Sequence, residues 1–438
     1  MKTQGLEVRP GMAARNAAQS ALSEVLRRRR PLDAVLDETI SPQLSPRDAG
    51  FARAIASETL RRFGQLDALI RGYVAKSPPP HRAGPTLEII LAGACELLFL
   101  NVPAHAAVDG ANRLAVADAK AVHFKPLINA TLRKIAREGA SVISGQDAER
   151  LNTPDWLWLR WCEFYGEDAA RAIARVHAHP APLDLTMKTA DAVTDFGDRA
   201  HALPGGSLRF ADAGAVDALP EFSDGTWWVQ DFAASLPVRL LGDVGGRRVI
   251  DLCAAPGGKT AQLAAAGAKV TAVERDGKRL ARLKDNLDRL RLSAKLIEAD
   301  VRDCAECDSA EFVLLDAPCS ATGTIRRHPE LPWIKSAGDI NVCSQNAGEL
   351  LDSAGRLVVP GGMLVFAVCS LETEECSSQI DDFLRRHDNF ARAPVTAAHI
   401  FGMTDLIDAQ GDLRTLPCHL AEQGGMDGFY AARLRRLG

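Results

Sequence analysis

The rhythm of apolar and polar positions changes twice along this chain. From residue 13 to about 145 it is helical. The stretch "SPRDAGFARAIASETLRRFG" shows the signals most fully, with Ser45 as N-cap, Pro46 at the first helical position and Asp48 at the third. Arg61, Arg62 and Gly64 close it, so cap and dipole charges agree. "KSPPPHRAGP" (76–85) reads as a loop, and further helices are predicted over 86–99, 104–117 and 125–138. Residues 1–145 therefore read as an all-α domain. Over 146–228 the signals are short and mixed: one or two helices within "TPDWLWLRWCEFYGEDAARAIARVHAHPAPL", then strands around 183–188 and 207–210, a small α/β connector. From 229 to 438, short apolar runs ("RRVIDLCAA", "AKVTAVER", "AKLIEAD", "FVLLDAP", "GMLVFAVCS", "GFYAARLRR") alternate with helical stretches. Continuous apolar runs of this length are the mark of strands buried on both faces, so the pattern predicts a doubly wound α/β sheet, Rossmann-like, with helices on either side.

Length supports this division, since 438 residues exceed what one ordinary core covers. The richest apolar stretch, "LEIILAGACELLFL" (87–100), is short and carries Glu88 and Glu96, and the first twenty residues lack an apolar leader segment. Neither a signal peptide nor a membrane span is expected. The ten cysteines lack the dense spacing of a disulfide scaffold, which points to a reducing cytoplasm. Cys304 and Cys307 form one C-x-x-C without a second pair, so they read as two thiols in a loop and no metal is expected. His177 and His179 stand at a helix end before a proline and read as structural. Residues 1–150 hold 21 Lys and Arg against 15 Asp and Glu, whereas the remainder holds 31 against 41. The basic surplus lies where a phosphate-binding platform would be.

"VIDLCAAPGGKTAQLA" ends a strand at Cys253, turns through Ala254, Ala255, Pro256, Gly257 and Gly258, and enters a helix at Lys259 or Thr260. Small residues let the backbone approach a ligand at the switch point of the sheet. The loop has neither G-x-G-x-x-G nor the first glycine of a P-loop, which disfavours dinucleotides and nucleoside triphosphates. Glu274, at the end of the next strand, can accept hydrogen bonds from two ribose hydroxyls, and Asp300, ending the third, lies where an adenine edge would be. An adenosine ligand without a pyrophosphate fits, and S-adenosylmethionine is such a ligand.

"LLDAPCSATG" and "FAVCSLETEE" each place a cysteine just past a buried strand, Cys319 and Cys369, and the two strands are expected to be neighbours. Buried cysteines are usually small hydrophobes, but each of these enters a loop that also carries polar groups. "TEEC" reads as a helix start with Glu374 and Glu375 in its first turn. Carbon 5 of cytosine is a poor nucleophile until a thiolate adds to C6, so methylation there needs a thiol, a donor at N3 and a base for the C5 proton. A free thiol is only about 3% thiolate at pH 7, so the site must help to ionise it. Asp316 is placed to meet N3 if protonated. Spacing alone does not choose between the cysteines.

"DLCAAPGGKT", "LLDAPCSATGTIRRHPE", "FAVCSLETEE" and "MDGFYAARLRR" together resemble the bacterial Sun/Fmu (RsmB) type of 16S rRNA cytosine-5 methyltransferase, in which a helical NusB-like domain and a linker precede the catalytic domain. The resemblance implies that Cys369 is the nucleophile, that Cys319 assists breakdown of the adduct, and that Asp316 contacts base and methyl donor. It assigns Cys253, Ala254, Ala255, Pro256, Gly257, Gly258, Lys259, Glu274, Asp300 and Asp316 to S-adenosylmethionine. Glu274 stands where Asp is common in the family, Val368 where Thr is, and Cys376 where Asn is. Arg326, Arg327 and His328, after Cys319, are expected to grip RNA phosphates, and "LRRRRP" (26–31) is a second basic candidate. The implied partner is 16S rRNA, naked or in an early assembly particle, bound by a monomer away from membranes. Competing readings are a cytosine-5 methyltransferase of tRNA or 23S rRNA, a non-catalytic RNA-binding protein, a DNA cytosine methyltransferase attacking through Cys319, and a nitrogen or oxygen methyltransferase needing neither thiol.

Overall fold

The computed structural model describes residues 11–40, 44–74, 78–189, 196–211, 213–304 and 306–438. Residues 76 and 77 of the expected loop, and the first ten residues of the amino-terminal stretch that lacks an apolar leader segment, lie outside them. The chain forms two compact units: residues 1–179 with 325–336, and residues 180–324 with 337–438. The division falls inside the segment read as one connector. Its helices Asp155–Tyr165 and Glu167–His177 belong to the first unit and its strands to the second.

The first unit is helical. Met12–Arg28, Pro46–Arg61, Phe63–Tyr73, Thr86–Leu98, Ala104–Ala117 and Lys125–Ser144 carry most of its core, which includes Leu66, Ile89, Leu91, Leu114, Leu132 and Ile135. Ser45 caps its helix as expected, its hydroxyl accepting from Asp48 N at 3.1 Å. Glu88 and Glu96, which interrupt the most apolar stretch, each meet an arginine. Arg15 grips Glu96 with Nε at 2.9 Å and Nη2 at 2.5 Å, and Arg27 grips Glu88 with two contacts of 2.6 Å. Burial raises the Glu96 pKa and Arg15 opposes it, as a buried pair requires. Within "LRRRRP", Arg27, Arg28 and Arg29 are exposed, with Arg28 and Arg30 pairing with Glu24 and Arg30 also with Glu38. Segment 325–336 packs into this unit through Trp333, whose Nε1 donates to Leu60 O at 2.9 Å and whose ring lies 4.7 Å from Phe63.

The second unit holds two sheets. The smaller is antiparallel in the order β2-β3-β1-β4, with β1 Leu183–Met187, β2 Ala200–Ala202, β3 Leu208–Phe210 and β4 Trp227–Val229. The larger comprises β5 Arg248–Leu252, β6 Lys269–Glu274, β7 Lys295–Glu298, β8 Ala310–Asp316, β9 Val358–Val368, β10 Phe390–Arg392, β11 Leu413–Thr415 and β12 Phe429–Arg436. Its order is β7-β6-β5-β8-β9-β12-β10, with β11 also on β12; β5 to β9 run parallel and β12 antiparallel to β9. Alternation explains the apolar runs: Leu364, Phe366 and Val368 of β9 enter one core, while Met363, Val365 and Ala367 enter the other. Order reverses between β5 and β8, so a crevice opens at the carboxyl ends of those strands.

Cys304 and Cys307, read as two thiols, are joined as a disulfide, which corrects that expectation. No helix among the described residues is long and apolar enough to cross a membrane, and no cluster among them could hold a metal.

Arg209 on β3 is fully buried against Asp184 on β1, with two contacts of 2.7 Å, and also donates to Gln423 O and Gly425 O. Removing one partner of such a pair strands the other. Arg209→Leu should lower the unfolding free energy by about 3–5 kcal/mol in urea denaturation, and a loss below about 1 kcal/mol would show that the pair does not hold the small sheet in place.

Candidate active site

The loop after β5 is shaped by its backbone. Cys253 has φ 60° and Gly257 φ +104°, and a Cβ on Gly257 would lie 3.0 Å from Leu283 Cγ, so glycine is required there. Ala254 N donates to Val273 O at 3.1 Å, Arg279 Nη2 to Ala255 O at 2.6 Å and Asn286 Nδ2 to Pro256 O at 2.9 Å. These bonds fix the turn against β6 and the helix Gly277–Leu290. The helix Gly258–Ala265 starts from it, one residue earlier than expected, and Thr260 Oγ1 ties its first turn to Asp251 Oδ2 at 2.5 Å.

Glu274 ends β6 with only 3% of its surface exposed. Its carboxylate accepts from Ala255 N at 3.3 Å and Asp276 N at 3.2 Å, with Arg279 at 3.5 Å. A buried acid beside a crowded glycine turn fits a ribose-bearing ligand, whose hydroxyls would donate to the carboxylate. Asp300 is differently placed: Arg302 takes both its oxygens at 2.9 and 2.7 Å and holds its pKa down to about 2. It stays at the end of β7's connection, already partnered.

The β8–β9 pairing, Asp316 opposite Ala367, brings the two cysteines together, with Sγ atoms 3.6 Å apart. Gly323 N donates to Cys369 O at 3.0 Å, and Gly428 N to Gly323 O at 2.8 Å; a Cβ on Gly323 would sit 1.9 Å from Gly428 O. That contact explains the glycines of "SATG" and "MDG". Lys259 Nζ donates to Asp316 Oδ2 at 2.7 Å and lies 5.1 Å from the Phe429 ring. Burial opposes the Lys259 charge, yet Asp316, with Cys369 and Asp251 nearby, holds its pKa above the ordinary value. The pKa of Cys319 stands well above that of a free thiol, through its bond with Cys369, burial and the negative Glu375. Burial pushes Cys253 up to about 12, which makes it an inert wall of the turn.

Three residues escaped the sequence reading. Glu375 is not the helix-start charge expected: Thr373–Glu375 is a separate 3₁₀ turn, the helix begins at Ser377, and the Glu375 carboxylate turns inward to Ser320 and Ser370. Asp251, inside an apolar run, is fully buried with Oδ1 unpartnered. Gly428 is required by its close approach to Gly323 and to Leu371, whose Cδ2 would lie 2.5 Å from a Cβ there. Arg326 is 1% exposed, so its place in the expected phosphate grip is withdrawn. Arg327 is exposed, and His328 is half-buried, 3.7 Å from Asp33 and 3.8 Å from Glu330.

A parallel sheet with a reversal beside its first strand, a glycine turn at that reversal and an acid closing the next strand define an S-adenosylmethionine-dependent methyltransferase. The family 16S rRNA methyltransferase RsmB/F matches residues 238–435, and the NusB family matches residues 12–137. Ribosomal RNA small subunit methyltransferase B of Pseudomonas putida is 36% identical, with 97% of this chain and 99% of that protein covered; its Salmonella arizonae counterpart is 34% identical, with 96% and 98% covered. The crystal structure of PH0851 superposes with a TM-score of 0.77 at 25% identity, over 98% of this chain and 99% of that one. The chain belongs to the RsmB/F family of methyltransferases, with a NusB-like helical domain at its amino terminus.

Burial raises the Asp251 pKa to about 7, with the Thr260 hydroxyl opposing and Asp316 adding. The folded chain then binds this proton more tightly than the unfolded chain, and the associated stability is present below about pH 4 and lost as pH rises towards about 7. The urea midpoint of wild type relative to Asp251→Asn should therefore fall between pH 5 and pH 8. A difference independent of pH would mean that Asp251 is ionised throughout.

Proposed function

We propose that this enzyme transfers a methyl group from S-adenosylmethionine to C5 of a cytosine in 16S rRNA, through a covalent bond between Cys369 and C6. The observation that carries the reading is the pair of sulfurs 3.6 Å apart beside the Lys259–Asp316 ion pair, at the carboxyl ends of β8, β9 and β5. The relatives' printed names, ribosomal RNA small subunit methyltransferase B, support the substrate.

The Cys369 thiolate adds to C6, and the electron pair of the C5–C6 double bond moves towards N3. The ammonium of Lys259, held against Asp316, supplies the proton there, so Asp316 acts as the partner of the donor and need not carry the proton itself. C5 becomes an enamine carbon. The cofactor, held by the 253–259 turn and Glu274, supplies an electrophilic methyl group. Loss of the C5 proton to solvent water restores the C5–C6 double bond and expels Cys369 as its thiolate, a step that Cys319 assists, while N3 returns its proton to the Lys259 amine. Cys319 keeps its own proton during the attack, because a carboxylate and a neighbouring sulfur face it. Two features support the assignment of Cys369 as the attacking sulfur: its Lys259 neighbour and the family's pattern. The target base must be unstacked, which costs least in unpaired RNA. Arg327 and His328 follow Cys319 along the chain and contact flanking phosphates, and the helical unit carries the basic surplus for the rest of the RNA.

With tritiated S-adenosylmethionine and 16S rRNA, Cys369→Ala should lose transfer by more than about 10³-fold. Cys319→Ala should accumulate a denaturant-resistant protein–RNA adduct. Retained transfer in Cys369→Ala, with loss and no adduct in Cys319→Ala, would assign the attack to Cys319.

A further inference from the structure

Each cysteine of the site is followed by a serine, and one carboxylate holds both serines. Glu375 Oε1 accepts from Ser320 N at 2.7 Å, and Oε2 accepts from Ser320 Oγ at 2.5 Å and from Ser370 Oγ. The two hydroxyls lie 3.2 Å apart, Ser370 Oγ accepts from Glu372 N at 3.0 Å, and Thr322 Oγ1 accepts from Leu371 N at 3.0 Å. Ser320, Ser370 and Glu375 are all 0% exposed. Burying a carboxylate is costly, and raises the Glu375 pKa here, so the arrangement persists only because its donors are well placed.

We infer that Glu375 is a positioning residue: it clamps the loop after β8 to the loop after β9 and thereby sets the separation of Cys319 from Cys369. This rests on the proposed two-thiol reaction. The three donors are an amide and two hydroxyls, and only a carboxylate is acceptor on both atoms. A glutamine would have to turn its NH₂ group either to the Ser320 amide, donor against donor, or to the two hydroxyls, which would then accept instead of donating, and either way the charge-assisted bonds to both loops are lost. The loops that carry the sulfurs would lose their common anchor, and small misplacements of reacting groups are expensive.

The test uses the full chain. Wild type and Glu375→Gln are treated with diamide, which is reduced to its hydrazine as the two thiols give a Cys319–Cys369 disulfide, quantified by peptide mass mapping. Glu375→Gln should form that disulfide at least about fivefold more slowly, and its kcat on 16S rRNA should fall about tenfold or more with KM within about twofold. Wild-type cross-linking, or a wild-type kcat despite slow cross-linking, would overturn the inference. Should Glu375→Gln fail to fold by circular dichroism, Ser370→Ala takes its place: slower cross-linking supports the clamp, and a wild-type rate overturns it. Cross-linking needs neither RNA nor cofactor, so a Cys369→Ala enzyme that still transfers methyl groups would remove the proposed reaction and leave the cross-linking result to decide the clamp separately.

Discussion

The parallel pairing of β8 with β9 is the constraint on which the site depends. Cys319 and Cys369 are 50 residues apart, and nothing local brings them together. The register that sets Asp316 opposite Ala367 ends both strands at the same level, and β5, in register with β8 through Leu252 and Leu315, delivers Lys259 there too. A one-residue slip would turn every side chain of β9 to the opposite core. Register is protected against this because both faces are packed: Phe366 and Val368 belong to one core, Val365 and Ala367 to the other. The chemistry is thus as well placed as the packing is complete.

Carboxylates buried in this molecule are met in two physically different ways. Asp184 and Glu96 face guanidinium groups that match them in charge and in fork geometry, and their work is to hold elements together. Glu375 faces an amide and two hydroxyls, Asp251 a single hydroxyl with its Oδ1 unpartnered, and burial raises the pKa of both. Where such a carboxylate is ionised, as Glu375 is towards Cys319, neutral donors leave its negative field in place, where a cation would cancel it. Glu375 spends that field on Cys319, whose proton it helps to retain.

The sequence made the architecture legible because its strongest signals are local or periodic. The N-cap at Ser45, the apolar runs of β5, β8, β9 and β12, and the glycine turn at 257–258 needed no knowledge of partners. What escaped was tertiary. Arg326 looked like a surface charge in "TIRRHPE", but segment 325–336 packs into the helical unit and Arg326 is buried. The arginines of "LRRRRP" looked like an RNA-binding run, although Arg27 and Arg30 answer acids on other helices. Cys304 and Cys307 turn towards each other in a way that two cysteines three apart do not dictate. Glu375 had a readable trace: the dipeptide Cys-Ser occurs at the end of both strands, and a repeated hydroxyl beside a repeated thiol asks for a shared acceptor.

The sulfurs themselves are chemically equivalent, so any difference in their roles must come from their surroundings. Cys319 is approached by the carboxylate of Glu375, and Cys369 by the ammonium of Lys259. In the proposed reaction this asymmetry suits Cys319 to keep its proton, since its pKa stands well above that of a free thiol. Under that proposal Cys319 stays beside Cys369, 3.6 Å away, both when the bond to the base forms and when it breaks. A site in which Cys319 attacked would have to place negative charge next to Glu375 and leave the Lys259 ammonium facing a neutral thiol. Within the proposed reaction, the same two loops and the same clamp therefore favour one assignment of the two roles through charge placement, without any difference between the cysteines as residues.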